Sequence, residues 1–470
     1  MITSEPETAA GLPRSAPSEL LIDAARIIDY LDAVDAAGMD LHSIMILRHG
    51  SVVAEGWWAP YRRDDIQLLY SLSKTFLATA VGIAVGEGRF STEDLVADLL
   101  PGQVPAPVPD HLRYLRVRHL LSMASGHREE TLLRILSMGP DPVANFLALP
   151  PDEPPGSVFA YNQGNSLTLS QIITTVTGQR VVDYLRPRLF DPLGIERAEW
   201  LTTSTGIDQG FSGLHVTTES VARLGQLLLR GGRWGGAQLV PAEFAAEARR
   251  PQVGNSRQAA TPDWREGYGY QMWMCRHGAQ RGDGAFGQFA ILVPDADAVI
   301  VCTAQVTDMQ AELDLIWAHL LPAFRDSAVS AAADAELADR LARLAIPVIR
   351  SAVPGPGQPA EFSPTSVEGP YADRIERVRV EPRPDGTRLI LTVSGSRHVF
   401  DVAASQWSDG VLPGLNTPFP EVSVSAGWVA RDEFRADIVS RRTPHRLQLR
   451  ARAGREPALT VSWLAPPLAL

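Results

Sequence analysis

From Ser71 to Val85 the chain reads "SLSKTFLATAVGIAV", with apolar or small residues on every side of a helical wheel. That pattern predicts a helix buried all round, and Gly86 and Gly88 mark its end. Upstream, residues 43–58, "SIMILRHGSVVAEGWW", alternate apolar and polar positions about a His-Gly pair and predict a β-hairpin. Downstream, helical periodicity recurs near 116–123, 141–148, 165–177, 180–190, 217–230 and 241–249, broken by Pro and Gly. The period then shortens. "YGYQMWMC" (268–275), "FGQFAILV" (286–293) and "AVIVCTA" (298–304) predict a three-strand meander, and a long helical stretch runs from about 311 to 345. Strands, then many helices, then strands and a helix imply an α/β protein of the α+β type, an antiparallel sheet flanked by helices.

The C-terminal part has a different texture. "SAVPGPGQPAEFSPTS" (351–366) reads as a Pro-rich linker. Short strands follow, among them "TRLILTVSG", "RHVFDVA", "HRLQLRARA" and "ALTVSWLA", with "RPDGT" as a hairpin turn. A chain of 470 residues exceeds one ordinary core. The expected organisation is therefore disorder over 1–14, a first domain over 15–345, a linker over 346–366 and a small all-β accessory domain over 367–470.

Charge narrows the range of partners. The net charge is −11, and beyond Ser351 there are 14 arginines against 13 acids, so the acidic excess lies in the first 350 residues. An acidic chain without a basic stripe is a poor ligand for nucleic acid or for an anionic membrane. No stretch approaches the roughly 18 apolar residues of a membrane span. The N-terminus, "MITSEPETAAGLPRSAPSEL", lacks the basic start and apolar core of a secretory signal. Two cysteines, Cys275 and Cys302, suit a reducing compartment, and the expectation is a cytoplasmic protein. Neither a CxxC pair nor HExxH occurs, so no metal and no cofactor are expected.

One residue stands out against this composition. Lys74 is the single lysine among 43 basic residues. It lies three positions after Ser71, on the same helical face, whereas Ser73 points about 100° away. A serine hydroxyl attacks only when a base removes its proton. A lysine can do so once burial lowers its pKa; an arginine cannot, because its guanidinium keeps its proton in proteins. The spacing thus nominates Ser71 as nucleophile and Lys74 as its base. Chance alone could also place a serine there, so the neighbouring motifs matter.

Those neighbours carry a resemblance. "YSLSKTF", "EGRFSTEDLVADLLP", "VRHLLSMASGH", "PPGSVFAYNQGNSLTLSQIITTVTG", "VVDYLRPRLFDPLGI" and "TTESVARLGQLLLRGGRWGGAQLV" follow one another in order. Over about residues 15 to 320 they resemble the serine hydrolases related to class C β-lactamases and penicillin-binding proteins. The resemblance also takes in family VIII carboxylesterases and 6-aminohexanoate-dimer hydrolase. It implies an antiparallel sheet plus a helical subdomain, with the active site between them. It also implies three motifs. Ser71 and Lys74 form the first. The second, Tyr-x-Asn, is met by Tyr161, while its third position is Gln163, preceded by Asn162. In that family the tyrosine shuttles a proton, held near a working pKa by the lysine. The third motif, Lys/His-x-Gly, aligns with Gly282-Asp283-Gly284, where no cation is available. The backbone at Gly284 and Ala285, with the Ser71 amide, is the implied oxyanion hole. His127 and His215 fall where the family lines its cleft, although a histidine at a helix or strand end is more often structural. Glu129 and Glu130 read as a solvated pair. Of Trp57 and Trp58, one is expected to pack and the other to face the cleft.

The reading that emerges is a serine hydrolase acting on an ester or small amide, with β-lactamase or D-amino-acid peptidase activity as the alternatives on the same fold. The substrate is a small molecule, and a homo-oligomer is compatible with the sequence. A Ser-His-Asp α/β-hydrolase would require Gly-x-Ser-x-Gly, which is absent. A non-enzymatic binding protein derived from this fold is the remaining competitor.

Overall fold

The computed structural model describes residues 11–256, 261–324, 329–353, 357–415 and 419–468. Of the stretch expected to be disordered, the first ten residues lie outside this set. Gly11–Arg14 are ordered by contacts: Leu12 is buried, and its N–H donates to Glu219 at 3.2 Å. The chain divides into two compact units. One holds the residues up to Gly56 together with Leu68–Ala342; the other holds Trp57–Gln67 together with Arg343–Leu470.

In the first unit, helix α1 (Ala24–Ala36) is capped by the Asp23 carboxylate, which accepts the Ala25 N–H. Strands β1 (Leu41–Arg48) and β2 (Ser51–Trp57) form the expected hairpin, and His49 and Gly50 take left-handed turn conformations. Helix α2 (Ser73–Gly86) is buried almost throughout. Helices α3 (Leu132–Met138) and α4 (Gln163–Thr177) belong to the helical subdomain. Strand β3 (Leu214–Val216) leads into helix α5 (Thr218–Leu229). Then come β4 (Trp273–Met274), β5 (Gln280–Gly284), β6 (Gln288–Val293) and β7 (Ala298–Ala304). The main sheet has six strands in the order β2-β1-β7-β6-β5-β4. Residues far apart in sequence are neighbours in it, with Ile44 opposite Cys302 and Ile46 opposite Ile300.

Side chains alternate across a strand, so β7 serves both faces of the sheet. Cys302 meets the Tyr30 hydroxyl of α1 at 3.9 Å. Val299, of opposite parity, lies under α5, where a Cβ on Gly225 would come within 2.7 Å of it. The lack of a side chain at Gly225 lets that helix lie close on the sheet.

The strand region departs from expectation in two places. Only Trp273–Met274 of the segment 268–275 pairs as a strand, and the meander gains a strand, β5. Its sequence, "QRGDG", carries little strand propensity. It is a strand because α2 and the turn before it press against it: a Cβ at Gly282 would overlap Thr75 and Leu72, and one at Gly284 would overlap the Leu69 carbonyl. The long helical stretch near 311–345 is divided into Met309–Leu315, a wider turn over Ile316–Leu320, Leu321–Ala323 and Ala331–Leu341.

The second unit is all-β apart from short turns. One sheet joins Ala360–Phe362, Ile375–Arg383, Gly386–Val393 and Ser396–Ala403. A six-stranded sheet is built from Ser366–Glu368 and the strands between Ser408 and Trp463. Alternating residues of both sheets, such as Val378, Leu389, Leu391, Val424, Ile438 and Leu449, form the core of this unit. The stretch expected as a linker is bonded into this unit: Ile349 N–H donates to Ser425 Oγ at 2.8 Å and Ala352 N–H to the Trp428 carbonyl at 3.0 Å. Trp57–Gln67 is woven in as well. Ala59 exchanges backbone hydrogen bonds with Leu344 and Ile346, and the Tyr61 hydroxyl donates to the Thr443 carbonyl at 3.5 Å. Trp58 packs at 5% exposure, and Trp57 lies under the Arg63 guanidinium at 4.7 Å.

Candidate active site

Ser71 occupies a single 3₁₀ turn, Tyr70–Leu72, that feeds directly into α2. Tyr70 holds φ 47°, a left-handed conformation that side chains adopt rarely and that turns the chain sharply before the serine. Lys74 stands one helical turn further on. Its Nζ donates to Ser71 Oγ at 3.0 Å and to the Phe211 carbonyl at 2.8 Å. The side chain is 1% exposed. Burial lowers its pKa from 10.5 to about 7, against the opposing pull of Glu130 and Asp283. The amine is thus poised between its neutral and charged forms near neutral pH. Ser73 plays a structural part instead. Its buried hydroxyl accepts the Leu214 N–H at 3.1 Å and ties β3 to α2.

Tyr161 completes the group. Its hydroxyl shares a hydrogen bond with Ser71, and its ring centroid lies 4.8 Å from Lys74 Nζ. The ring stacks on Trp273 at 5.2 Å and meets Tyr268 edge-on at 6.0 Å. Burial raises the phenol pKa, and Asp283 adds to the rise; the Ser71 hydrogen bond only partly offsets it. The expected lowering toward a working pKa is therefore not found in the free protein, where the phenol is neutral.

Strand β5 runs beside these three residues, and no cation occupies the aligned position. Gly282 leaves no room for a side chain. The nearby Arg281 is fully buried, with Nε donating to Asp283 at 3.1 Å and the guanidinium 4.2 Å over Trp264. Asp283 also accepts the Trp273 indole N–H at 3.0 Å. One buried ion pair thus anchors the indole on which Tyr161 stacks. Beyond Gly284, Ala285 is half-buried, and Phe286 takes φ 69° with its ring 5.4 Å from Tyr70. The end of β5 therefore lies against the serine turn.

Three of the nominated residues lie elsewhere in role. Asn162 is the N-cap of α4: its Oδ1 accepts from Gly164 N–H and Thr131 Oγ1, both at 2.9 Å, and its Nδ2 donates to the Glu129 carbonyl at 3.0 Å. Both its amide oxygen and its amide nitrogen are engaged in holding the helix start. His127 is buried at 6% exposure, bonded to Ser125 and with its ring tilted against Phe146 at 5.0 Å; it packs the helical subdomain rather than lining the cleft. Burial lowers its pKa. His215 is 1% exposed on β3, with Nδ1 facing the Gly213 carbonyl at 3.0 Å, and is likewise a packing residue. Gln163 opens α4 half-buried, and its Oε1 has no hydrogen-bond partner.

Glu129 and Glu130 are both exposed, as a solvated pair would be, and Glu130 also makes contacts beside the serine group. Its carboxylate accepts the Gln163 N–H at 3.0 Å, and both Lys74 and Tyr161 feel its charge. Nothing local marks this, since the contact joins two helix ends far apart in sequence. Among the described residues, no group of three His, Cys, Asp or Glu could hold a metal, and no helix is long and apolar enough to cross a membrane.

An amine and a phenol converging on one serine hydroxyl, in a sheet-plus-helical-subdomain fold, define a hydrolase of β-lactamase fold. The chain belongs to the Beta-lactamase family, which it matches over residues 24–321. It is 28% identical over 283 residues to the 6-aminohexanoate-dimer hydrolase of Paenarthrobacter ureafaciens, covering 55% of this chain and 71% of that one. To the D-aminopeptidase of Brucella anthropi it is 28% identical over 190 residues, covering 36% of this chain and 35% of that protein. Among solved structures, an octameric penicillin-binding protein homologue from Pyrococcus abyssi shares the fold over 92% of this chain and 96% of its own, with a TM-score of 0.50 and 14% identity.

Proposed function

We propose that the protein is a serine hydrolase that cleaves an ester or small amide through an acyl-enzyme. The observation that carries this reading is the 3.0 Å contact between Lys74 and Ser71, made by a buried lysine whose pKa falls to about 7. Neutral Lys74 takes the Ser71 proton as Oγ attacks the carbonyl carbon. The backbone N–H groups of Ser71 and Ala285 receive the developing oxyanion. Tyr161, bonded to the same hydroxyl, passes its proton to the leaving group as the carbonyl re-forms and takes up the proton held by Lys74, giving the acyl-enzyme with the amine and the phenol both neutral again. Water, activated by the same pair, then attacks the acyl carbon, and Ser71 regains its proton.

Two relatives named as a dimer hydrolase and an aminopeptidase support hydrolysis as the reaction class. The closed space at Gly282 and the neutralised Arg281 speak against a β-lactam carboxylate as the intended partner. A D-amino-acid peptidase is the second reading, favoured by the D-aminopeptidase likeness. The test is labelling with a fluorophosphonate probe followed by peptide mass spectrometry. The expected adduct is on Ser71, with parallel loss of p-nitrophenyl ester turnover. An adduct on Ser73 or elsewhere, or no adduct together with no turnover, would overturn the reading.

A further inference from the structure

Glu130 is fixed more firmly than an exposed glutamate usually is. Its Oε1 accepts the N–H groups of Thr131 at 2.7 Å and Leu132 at 2.8 Å, and its Oε2 accepts that of Gln163 at 3.0 Å. The carboxylate is thereby pinned at the start of α3 and the start of α4, and Gln163 follows Tyr161 by two residues. Its position relative to the serine is set by backbone, not by a floating side chain. Glu130 is solvent-exposed, and no cation pairs with it among the described residues.

Arg281 is buried and neutralised by Asp283. Gly282 excludes a cationic side chain on sterics. Lys74 must be neutral to act as the base. A substrate approaching Ser71 therefore meets, in Glu130, a fixed and water-facing negative charge.

We infer that Glu130 sets the charge preference of this site, favouring substrates that carry an ammonium group near the scissile bond and disfavouring those that carry a carboxylate there. The inference rests on the reading of Ser71 as the nucleophile. An acyl chain of a few carbons brings a terminal charge within several ångströms of the carbonyl. At that range one fixed carboxylate in a partly wet cleft alters the relative rates of oppositely charged substrates by about three- to tenfold.

The experiment compares three p-nitrophenyl esters of similar acyl length: 4-(trimethylammonio)butyrate, butyrate and hemisuccinate, each corrected for spontaneous hydrolysis. The expected order of kcat/KM is cationic, neutral, anionic. The spread should shrink near 0.5 M salt, where the Debye length falls to roughly 4 Å. Glu130→Gln removes the charge, keeps one acceptor oxygen and turns an NH2 toward the N–H groups that the other oxygen held, and should reduce the cation-to-anion ratio by about three- to tenfold. A flat ratio in the wild-type protein, or an unchanged ratio in Glu130→Gln, overturns the inference. Should that variant fail to fold, the wild-type ratio and its salt dependence decide. Labelling of Ser71 by an uncharged fluorophosphonate, run on the same preparation, separates the two levels. Labelling with a flat ratio refutes only the role of Glu130, whereas absent labelling refutes the serine hydrolase reading beneath it.

Discussion

Lys74 shows how one side chain ties activity to stability. Burial pulls its pKa to about 7 from 10.5 in the unfolded chain. Below the folded value both states hold the proton, and the native state bears the whole penalty of a buried ammonium. Between the two values the unfolded chain keeps the proton and the folded protein releases it, so stability rises with pH across that window. Lys74→Met should therefore be more stable than the wild-type protein at pH 7, by on the order of a few kcal/mol. That advantage should fade as pH climbs toward 10.5, which melting curves at several pH values would show. Activity should follow the same group: kcat/KM for an uncharged ester should rise with pH through about 7 as the amine becomes neutral. A profile flat from pH 6 to 8 would remove Lys74 as the base. Ser73 makes the contrast. Ser73→Ala leaves the Leu214 N–H without its acceptor, at a cost of about 1–3 kcal/mol, yet labelling at Ser71 should persist.

Among the elements, α2 was legible because burial on every side leaves its mark on every residue, and the Ser-x-x-Lys spacing sits within it. Strand β5 was not legible from local pattern. Its glycines look like a turn, and only the approach of Thr75, Leu72 and the Leu69 carbonyl explains them. Asn162 could have been read better: an asparagine directly before a helix is a strong N-cap, and that use of its amide competes with substrate contact. Glu130 offered no such signal, since its partners are helix ends brought together by tertiary packing. The crowding at β5 makes a prediction. Restoring a cation with Gly282→Lys should lower the melting temperature rather than confer turnover of a β-lactam such as nitrocefin. Its Cβ would have to displace Thr75 and Leu72, and overpacking of this kind typically costs about 1–3 kcal/mol. A stable Gly282→Lys protein that hydrolyses nitrocefin efficiently would show that the strand can retreat from α2.

At the scale of the whole molecule, the division of the chain bears on how Ser71 is presented. Sequence pattern suggests a hydrolase domain followed by a separable β-domain, but the second unit also claims Trp57–Gln67. That segment is held there by Ala59 with Leu344 and Ile346, by Tyr61 with Thr443, by the Arg62–Asp409 pair, and by Asp65 with Arg441 at 3.5 Å. No local pattern announces this, because each partner lies hundreds of residues downstream. Gln67, the last residue of that segment, is followed within four positions by Ser71, and between them Leu69 is tied to the first unit, its N–H donating to the Leu214 carbonyl at 2.9 Å. Ending the protein after Ala342 would remove every one of these partners and uncover Trp58 and Tyr61, both now buried. The shortened chain should label at Ser71 more slowly than the full chain and should melt at a lower temperature. Arg62→Ala, which breaks only an exposed ion pair, should change either property little, in keeping with the ~0–1 kcal/mol such pairs contribute. Labelling of the shortened chain at the full rate would mean that the serine turn is set within the first unit alone, and that the second unit can be removed without consequence for the chemistry.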